Sequence, residues 1–341
     1  MKTAVVILNW NGKKFLEKFL PGVIRHSIND AEIIIADNDS SDDSLEYLEK
    51  VHPQVRIIRL NKNFGFAGGY NLALKEIKAD YYILLNSDIE VTENWIPPVI
   101  SVMDADPSVA ACQPKIRSYN DSEKFEYAGA AGGFIDKYGY PFCQGRLFQE
   151  LETDEGQYDE TREVFWATGA CMFVRSDVFH KLGGFDDEFF AHMEEIDFCW
   201  RSKNLGHKIM YCPDSVIFHI GGGTLPKNNW RKTYLNIRNN IIMLYKNLEQ
   251  DRLIKVMAAR LLLDYIAAVK FLVDGGFKDM FAVLKAHYYF WTHLSRLRKK
   301  REKIPHLKVS QIYWGNVVLQ HYLHRRKTYK ELDPARFTGN P

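Results

Sequence analysis

The chain has 341 residues, 46% of them hydrophobic and 26% charged, enough to bury a full core as one large domain with an appendage. Its formal net charge of +2 hides an asymmetry. Twelve lysines and arginines but one acid, Glu302, lie between Lys285 and Lys330, so the rest of the chain is net acidic and unsuited to broad nucleic-acid binding. The five cysteines are scattered with no Cys-x-x-Cys pair, which argues against zinc sites and disulfide frameworks and fits a reducing cytoplasm. The N-terminus lacks a signal-peptide pattern, and no stretch offers the roughly 18 uncharged apolar residues of a spanning helix, so an integral membrane protein is not expected.

Ala4 to Leu8 reads as a buried strand ending in the polar turn Asn9-Trp10-Asn11-Gly12. A short amphipathic helix from Lys13 to Phe19 is expected to be stopped by Pro21. The next strand, Glu32 to Ala36, runs into Asp37-Asn38-Asp39-Ser40-Ser41-Asp42-Asp43-Ser44. Helix capping explains Ser41 or Asp42 but not the density of carboxylates. Val55 to Leu60 is a third strand, and the segment after it carries Gly65, Gly68 and Gly69, which let backbone approach a ligand closely. Their spacing is neither a dinucleotide fingerprint nor a P-loop.

A helix from Asn71 to Lys78 leads to the central strand at Tyr81, which opens on Asn86-Ser87-Asp88. Four strand-and-helix units in about ninety residues predict a right-handed, mostly parallel sheet. Open sheets of this kind place ligands at the carboxyl ends of their strands. Asp88 is therefore a candidate metal ligand, the plain alternative being a helix cap.

Beyond it come a helix from Trp95 to Asp106, a strand from Val109 to Pro114, and loop-rich residues 117–163, read as a partly ordered cover near an acceptor site. Val164 to Val174 is expected to be one strand broken by Gly169. In the acidic run Gly183 to Arg201, a helix starting near Glu194 places Asp197 and Arg201 four apart, a salt-bridge spacing that leaves Glu195 unexplained. Val216 to Thr224 contains His219, and Lys227 to Asn240 contains Arg231, Lys232 and Arg238. From Leu253 to Val273 the charges fall on one half of a helical wheel, leaving a broad apolar half. With the aromatic run Ala286 to Ser295 and six cations from Arg296 to Lys303, this suits either the surface of an anionic membrane leaflet or a helix pair packed on the main domain.

The motifs VVILNWNG, DNDSSDDS, NFGFAGGYN and LLNSD, in that order, resemble the nucleotide-sugar half of family 2 inverting glycosyltransferases, of the bacterial rhamnosyltransferase-like, non-processive type. The resemblance implies an α/β GT-A fold with a mostly parallel central sheet flanked by helices. It implies a catalytic domain over residues 1–245 and a basic helical extension over 246–341. Asp88, at the end of the family's Asp-x-Asp motif, would bind a divalent cation, Mn2+ or Mg2+, together with the diphosphate. His219, in an H-x-x-G setting, would join it on the metal. Asn86, where the family has its first Asp, would contact sugar or ribose. Asn9, Asp37 and Asp39 would hold the base and ribose, whose N–H and hydroxyl donors suit carboxylates. Arg231 and Arg238 would close over the diphosphate.

The run Glu194-Glu195 is similar to the family's Glu-Asp-x-Asp motif, whose second acid is the general base. That position is Glu195, one methylene longer than usual, with Glu194 the alternative. Trp166, Thr168 and Asp197 would face the acceptor, Trp166 being equally readable as core. The implied partners are a UDP- or dTDP-linked sugar donor and a saccharide acceptor, lipid-linked, in surface polysaccharide or O-antigen-type synthesis at the inner face of the membrane. Because Asn86 and Glu195 depart from the usual acids, a nucleotide-sugar-binding protein without transfer activity stays open. A sugar nucleotidyltransferase ranks last, because its glycine-rich basic loop is missing after the first strand.

Overall fold

The computed structural model describes residues 2–221 and 229–339. The Gly222-to-Thr224 end of the predicted last strand and Lys227 of the predicted basic stretch lie outside the described residues.

The chain opens as β1 (Thr3–Asn9), α1 (Lys13–Ser27), β2 (Glu32–Asp37), α2 (Ser44–Val51), β3 (Arg56–Arg59), α3 (Gly65–Ala73) and β4 (Tyr81–Leu85). The four strands pair in parallel in the order β3-β2-β1-β4. They are apolar on both faces because both are covered. Val5, Ile7, Ile33 and Ile35 pack with Leu16, Leu20 and Val23 of α1, while Ala4, Val6, Ile34 and Ala36 pack with Ala67, Tyr70 and Ala73 of α3. The helix α1 runs through Pro21 instead of stopping before it. Pro21 and Glu17 both lie on the exposed side, so water can satisfy the carbonyl that the missing N–H leaves free.

The middle of the chain forms β5 (Ile89–Val91), α4 (Pro97–Ala105), β6 (Val109–Ser118), β7 (Gly133–Asp136), β8 (Pro141–Cys143), β9 (Arg146–Leu147), β10 (Glu150–Leu151), β11 (Arg162–Val164), β12 (Cys171–Arg175), α5 (Ser176–Lys181), α6 (Glu194–Asn204) and β13 (Lys208–His219). The main sheet has the order β11-β13-β6-β12-β4-β1-β2-β3, with β5 on the far half of β13. The strand β12 runs antiparallel between β4 and β6, and β13 runs parallel to β6. Val164 to Val174 is thus two strands. Val164 ends the edge strand β11 and Cys171 begins the central β12, so the chain must cross between them. The loop-rich 117–163 region is ordered, since β7 to β10 belong to a second, five-stranded sheet. Strands of two to four residues carry too little periodicity to be seen in a sequence.

The C-terminal part forms α7 (Trp230–Asn247), α8 (Gln250–Val273), α9 (Phe277–Thr292), α10 (Leu294–Arg301), β14 (Ile312–Tyr313) and α11 (Val317–Tyr322). The strand β14 pairs in parallel with β7 and completes the second sheet. The helix α8 turns Arg260 and Asp264 inward and leaves Lys255 and Lys270 exposed. Arg260 donates to Asp264 at 2.8 Å and to Asn240 of α7 at 2.7 Å, and lies 4.0 Å over the Tyr140 ring. His287 of α9 bonds the other Asp264 oxygen at 3.1 Å. Removing one partner strands a buried charge, so Arg260→Ala is expected to destabilise the fold by about 3–5 kcal/mol in chemical denaturation. A change within the scatter of exposed-site substitutions would show that the network is dispensable.

Candidate active site

Three adjacent parallel strands deliver polar residues at their carboxyl ends. Asn9 ends β1 and is fully buried; its amide donates to Asp37 Oδ1, at the end of β2, at 3.1 Å and to Ser40 at 3.0 Å. Its Oδ1 is buried without a hydrogen-bond partner. Asp37 is also buried and accepts from the Ser40 amide at 3.0 Å. Asp39 is exposed and holds a left-handed backbone at φ 65°. The Asn9-to-Gly12 turn also borders the third strand end: a Cβ on Gly12 would lie 2.4 Å from Asn9 Oδ1 and 3.5 Å from Ser87 Oγ. Asn86, partly buried, donates its backbone N–H to Ala170 at 2.9 Å.

Sheet topology unites Asp88 with His219, 131 residues away. Because β5 pairs antiparallel with the end of β13, Ile89 lies opposite His219, and the Ile220 amide bonds the Asp88 carbonyl at 3.2 Å. His219 Nε2 then meets Asp88 Oδ1 at 3.1 Å, both side chains buried. Glu126, which the sequence reading missed, lies on the other side of the ring, its Oε2 3.1 Å from Nδ1 but off the hydrogen-bond axis. Burial alone would lower the His219 pKa, but the bonds to Asp88 and the proximity of Glu126 outweigh it and hold it raised to about 10. The sequence signal for Glu126 is indirect. Gly221, at φ 73°, sits where a Cβ would come within 2.5 Å of Glu126 Oε1.

The donor set fits a hard or borderline divalent ion: one carboxylate and one imidazole, the imidazole flanked by a second carboxylate that can orient its Nδ1. An ion would replace the proton on Nε2. Among the described residues no group of three or more His, Cys, Asp or Glu is arranged to enclose a metal. Asp88 and His219 would therefore leave several positions to water and phosphate oxygens, the pattern of ions bound jointly with a nucleotide.

The acid pair Glu194 and Glu195 sits at the head of α6. The loop before it is strained: Phe190, His192 and Met193 have φ of 62°, 70° and 72° without being glycine. It is held from three directions. Asn239 donates to the carbonyls of Phe189, Ala191 and His192 at 3.0, 2.9 and 2.7 Å. Arg238 donates to the carbonyls of Glu188 and Phe189 at 2.7 and 3.1 Å. The Phe190 carbonyl accepts from the amides of Phe66 and Ala67 at the start of α3. A Cβ on Gly65, at φ 71°, would meet that carbonyl at 2.5 Å. Two glycines of the NFGFAGG run make room for protein: Gly65 admits Phe190, and Gly69 admits Leu8 and Asn38.

The acids of this segment are treated differently. Asp197, fully buried, is paired with Arg201 at 2.8 Å and Lys246 at 3.0 Å. Asp186 is paired with Lys246 and Lys300, which overcome its burial and hold it well below the usual carboxylate range. Glu188 is paired with Arg296 and Lys300, which likewise outweigh burial and lower it. Glu194 and Glu195 have no cation partner among the described residues, and one oxygen of each is buried without a hydrogen bond. Burial pushes Glu195 up to about 7; burial and then the charge of Glu195 push Glu194 well above the usual range. His192 Nε2 is also buried and unpartnered, and burial followed by Lys232 lowers that ring to about 4.

Four expectations are corrected. Trp166 is core: it is buried and its indole donates to the Phe134 carbonyl at 2.9 Å. Thr168 is buried and its hydroxyl accepts from Ala170 N–H at 3.2 Å. Asp197 is consumed by its two cations and the Asn247 amide. Arg238 grips the loop before α6 instead of reaching for a diphosphate. Arg231 is exposed at the start of α7. Of the cations from Arg296 to Lys303, Arg296 and Lys300 bind the loop acids and Arg301 the Tyr245 carbonyl, while Arg298, Lys299 and Lys303 are exposed.

A mixed sheet, parallel over β3-β2-β1-β4 with polar residues at those strand ends, together with an acid pair at a helix head, fits a nucleotide-sugar transferase of the GT-A type. The family model described as "Glycosyl transferase family 2" matches residues 4–183, and the chain belongs to that family. It is similar to an N-acetylglucosaminyl-diphospho-decaprenol L-rhamnosyltransferase of Mycobacterium tuberculosis, 24% identical over 233 residues, 63% of this chain and 75% of that one. It is also similar to a dTDP-rhamnosyl transferase of Shigella flexneri, 26% identical over 235 residues, 63% and 71% of the two chains. Among solved structures it resembles TarS 1-349 of S. aureus with UDP-GlcNAc, at 15% identity and TM-score 0.58, covering 88% of this chain and 84% of that one. GalNAc-T7 with UDP, GalNAc and Mn2+ also matches at TM-score 0.58 and 17% identity, over 73% of this chain and 48% of that one. The GT-A fold and glycosyltransferase membership of the sequence reading are thereby borne out.

Glu126 lies near enough to His219 Nδ1 to position the ring if His219 binds an ion. Glu126→Gln is expected to weaken Mn2+ binding by roughly 10- to 100-fold, read by titration calorimetry. Unchanged affinity would show that Glu126 does not orient the ring.

Proposed function

We propose that this glycosyltransferase transfers a hexosyl or deoxyhexosyl unit from a UDP- or dTDP-sugar to a lipid-linked saccharide, with inversion, in cell-surface polysaccharide synthesis on the cytoplasmic side of the membrane. The observation that carries the proposal is the pair Glu194 and Glu195, raised by burial and left without a cation at the head of α6. A carboxylate poised near pH 7 can take a proton from an acceptor hydroxyl and is still abundant as the anion at that pH. Glu195, raised to about 7, takes that role; Glu194, pushed well above the usual range by burial and then by the charge of Glu195, favours its neutral form and so lowers the charge beside its neighbour.

On the donor side, Asn9, Asp37 and Asp39 hold base and ribose, and Asn86 contacts the sugar or ribose. Asp88 and His219 hold a Mn2+ or Mg2+ ion. That ion, when bound, neutralises charge on the departing diphosphate. The exposed Arg231 is left to approach the phosphates. Inversion requires only one in-line displacement, so no protein nucleophile enters. The choice of partners is supported by the two rhamnosyltransferase relatives, one named for a decaprenol-diphosphate acceptor and the other for a dTDP-linked donor.

Replacing Glu195 by Gln tests the reading. The turnover of Glu195→Gln is expected to fall by about 10²–10⁴-fold while donor affinity stays within a factor of about two. In the wild type, kcat/KM is expected to fall about tenfold per pH unit below about 7, because the base is lost as it gains a proton. A variant with wild-type turnover rules out Glu195 as the base. A wild type that binds donors yet transfers nothing to any saccharide marks a binding protein instead.

A further inference from the structure

The helix α8 buries Arg260 and Asp264 against α7 and α9 and so presents its apolar side outward. Leu262, Val269 and Val273 line that side at helical spacing, each more than half exposed. The helix α9 packs beside α8 and adds Phe281, Tyr288 and Trp291, also more than half exposed. This inverts the usual amphipathic surface helix, and exposed apolar side chains gathered on two adjacent helices mark an interaction face.

The charges around the patch identify its occupant. Lys255 and Lys270 on α8, and Lys278 and Lys285 on α9, are exposed beside it. Between Ile254 and Val273 the only acid is the buried Asp264; Asp251 and Asp274 lie at the two ends of α8, where Asp274 pairs with Lys270. Among the described residues no helix is long and apolar enough to cross a membrane. An apolar face edged by lysines, with Tyr and Trp at its margin, instead suits a helix pair lying in the plane of an anionic lipid surface. A second copy of the chain fits poorly, because a two-fold pairing sets the same lysines against each other.

We infer that the outer face of the α8–α9 hairpin is a docking surface for anionic lipid headgroups, with Leu262, Val269 and Phe281 entering the bilayer interface and Lys255 and Lys278 meeting the headgroups. This deepens the membrane-side reading above and adds the hairpin to the cations of Arg296–Lys303, of which Arg296, Lys300 and Arg301 are tied to the rest of the protein. The same helices reach the acid-bearing loop on their inner side. Tyr289 of α9 bonds Glu188 of that loop at 2.8 Å. A membrane on the outer face therefore lies one helix layer from the segment that carries Glu194.

The test is sedimentation of the full chain with extruded vesicles of phosphatidylcholine, with and without phosphatidylglycerol, with donor binding measured in parallel by calorimetry. Partition is expected to be at least about tenfold stronger onto the anionic vesicles and to weaken with added salt. The triple variant Leu262→Ser, Val269→Ser, Phe281→Ser is expected to lose most of it. Lys255→Gln with Lys278→Gln, which cannot disturb the core, is expected to lose about fivefold per lysine. Donor affinity is expected to stay unchanged in all of them, so a failure of docking is distinguishable from a failure of the glycosyltransfer reading. Equal partition onto neutral vesicles, or none onto either, overturns the inference. So does a doubled mass in light scattering that the triple variant abolishes, which would assign the face to a second copy.

Discussion

The structure depends on two carboxylates that the fold declines to neutralise. Around the head of α6 it supplies cations freely: Lys246 serves Asp186 and Asp197, Lys300 serves Asp186 and Glu188, and Arg201 and Arg296 add to them. Glu194 and Glu195 receive none among the described residues, and each keeps a buried oxygen unbonded. Leaving such groups in place opposes folding. A fold that raises their pKa values is most stable when both are protonated, and that stability is lost as pH rises through about 7, the value for Glu195. The left-handed backbone of Phe190, His192 and Met193 adds strain in the same few residues. Both are held by the network from Asn239, Arg238 and the start of α3.

Seen this way, the C-terminal helices are part of the site. The helix α7 carries Arg238, Asn239 and Lys246, α9 carries Tyr289, and α10 carries Arg296 and Lys300; all of them reach the loop from Asp186 to His192 or its acids. The donor end is simpler. It uses the carboxyl ends of β1, β2 and β4, plus one long-range closure in which β5 and β13 bring Asp88 to His219. In the proposed reaction the two ends would thus rest on different structural devices: sheet topology for the cation and nucleotide, and a braced, strained loop for the base.

Much of this was legible in the sequence, for physical reasons. Fully buried parallel strands leave continuous apolar runs, and the polar breaks after Leu8, Ala36 and Leu85 mark where the sheet opens to ligand. What was not legible depends on contacts between distant residues. Trp166 reads equally as a sugar platform or as core, and only the Phe134 carbonyl decides it. Arg238 looks like a phosphate ligand until its two carbonyl partners are seen, and Asp197 loses its role to a lysine 49 residues away. Glu126 is an ordinary acid in a glycine-rich stretch until β13 brings His219 to it. The apolar half of α8 was visible as a pattern, but which way it faces was set by a buried Arg260–Asp264 pair that composition would place in solvent.

The central claim is that burial without a counter-ion, not any special geometry of the acceptor, sets Glu195 near neutrality. Carboxyl carbon NMR of the chain labelled at glutamate, assigned by Glu194→Gln and Glu195→Gln and titrated without ligands, tests it most directly. The account predicts one carboxyl with a midpoint near 7 assigned to Glu195, and a second, assigned to Glu194, with its midpoint well above that of an exposed glutamate. Two ordinary midpoints, in the range of about 4 to 5 of exposed glutamates, would contradict it.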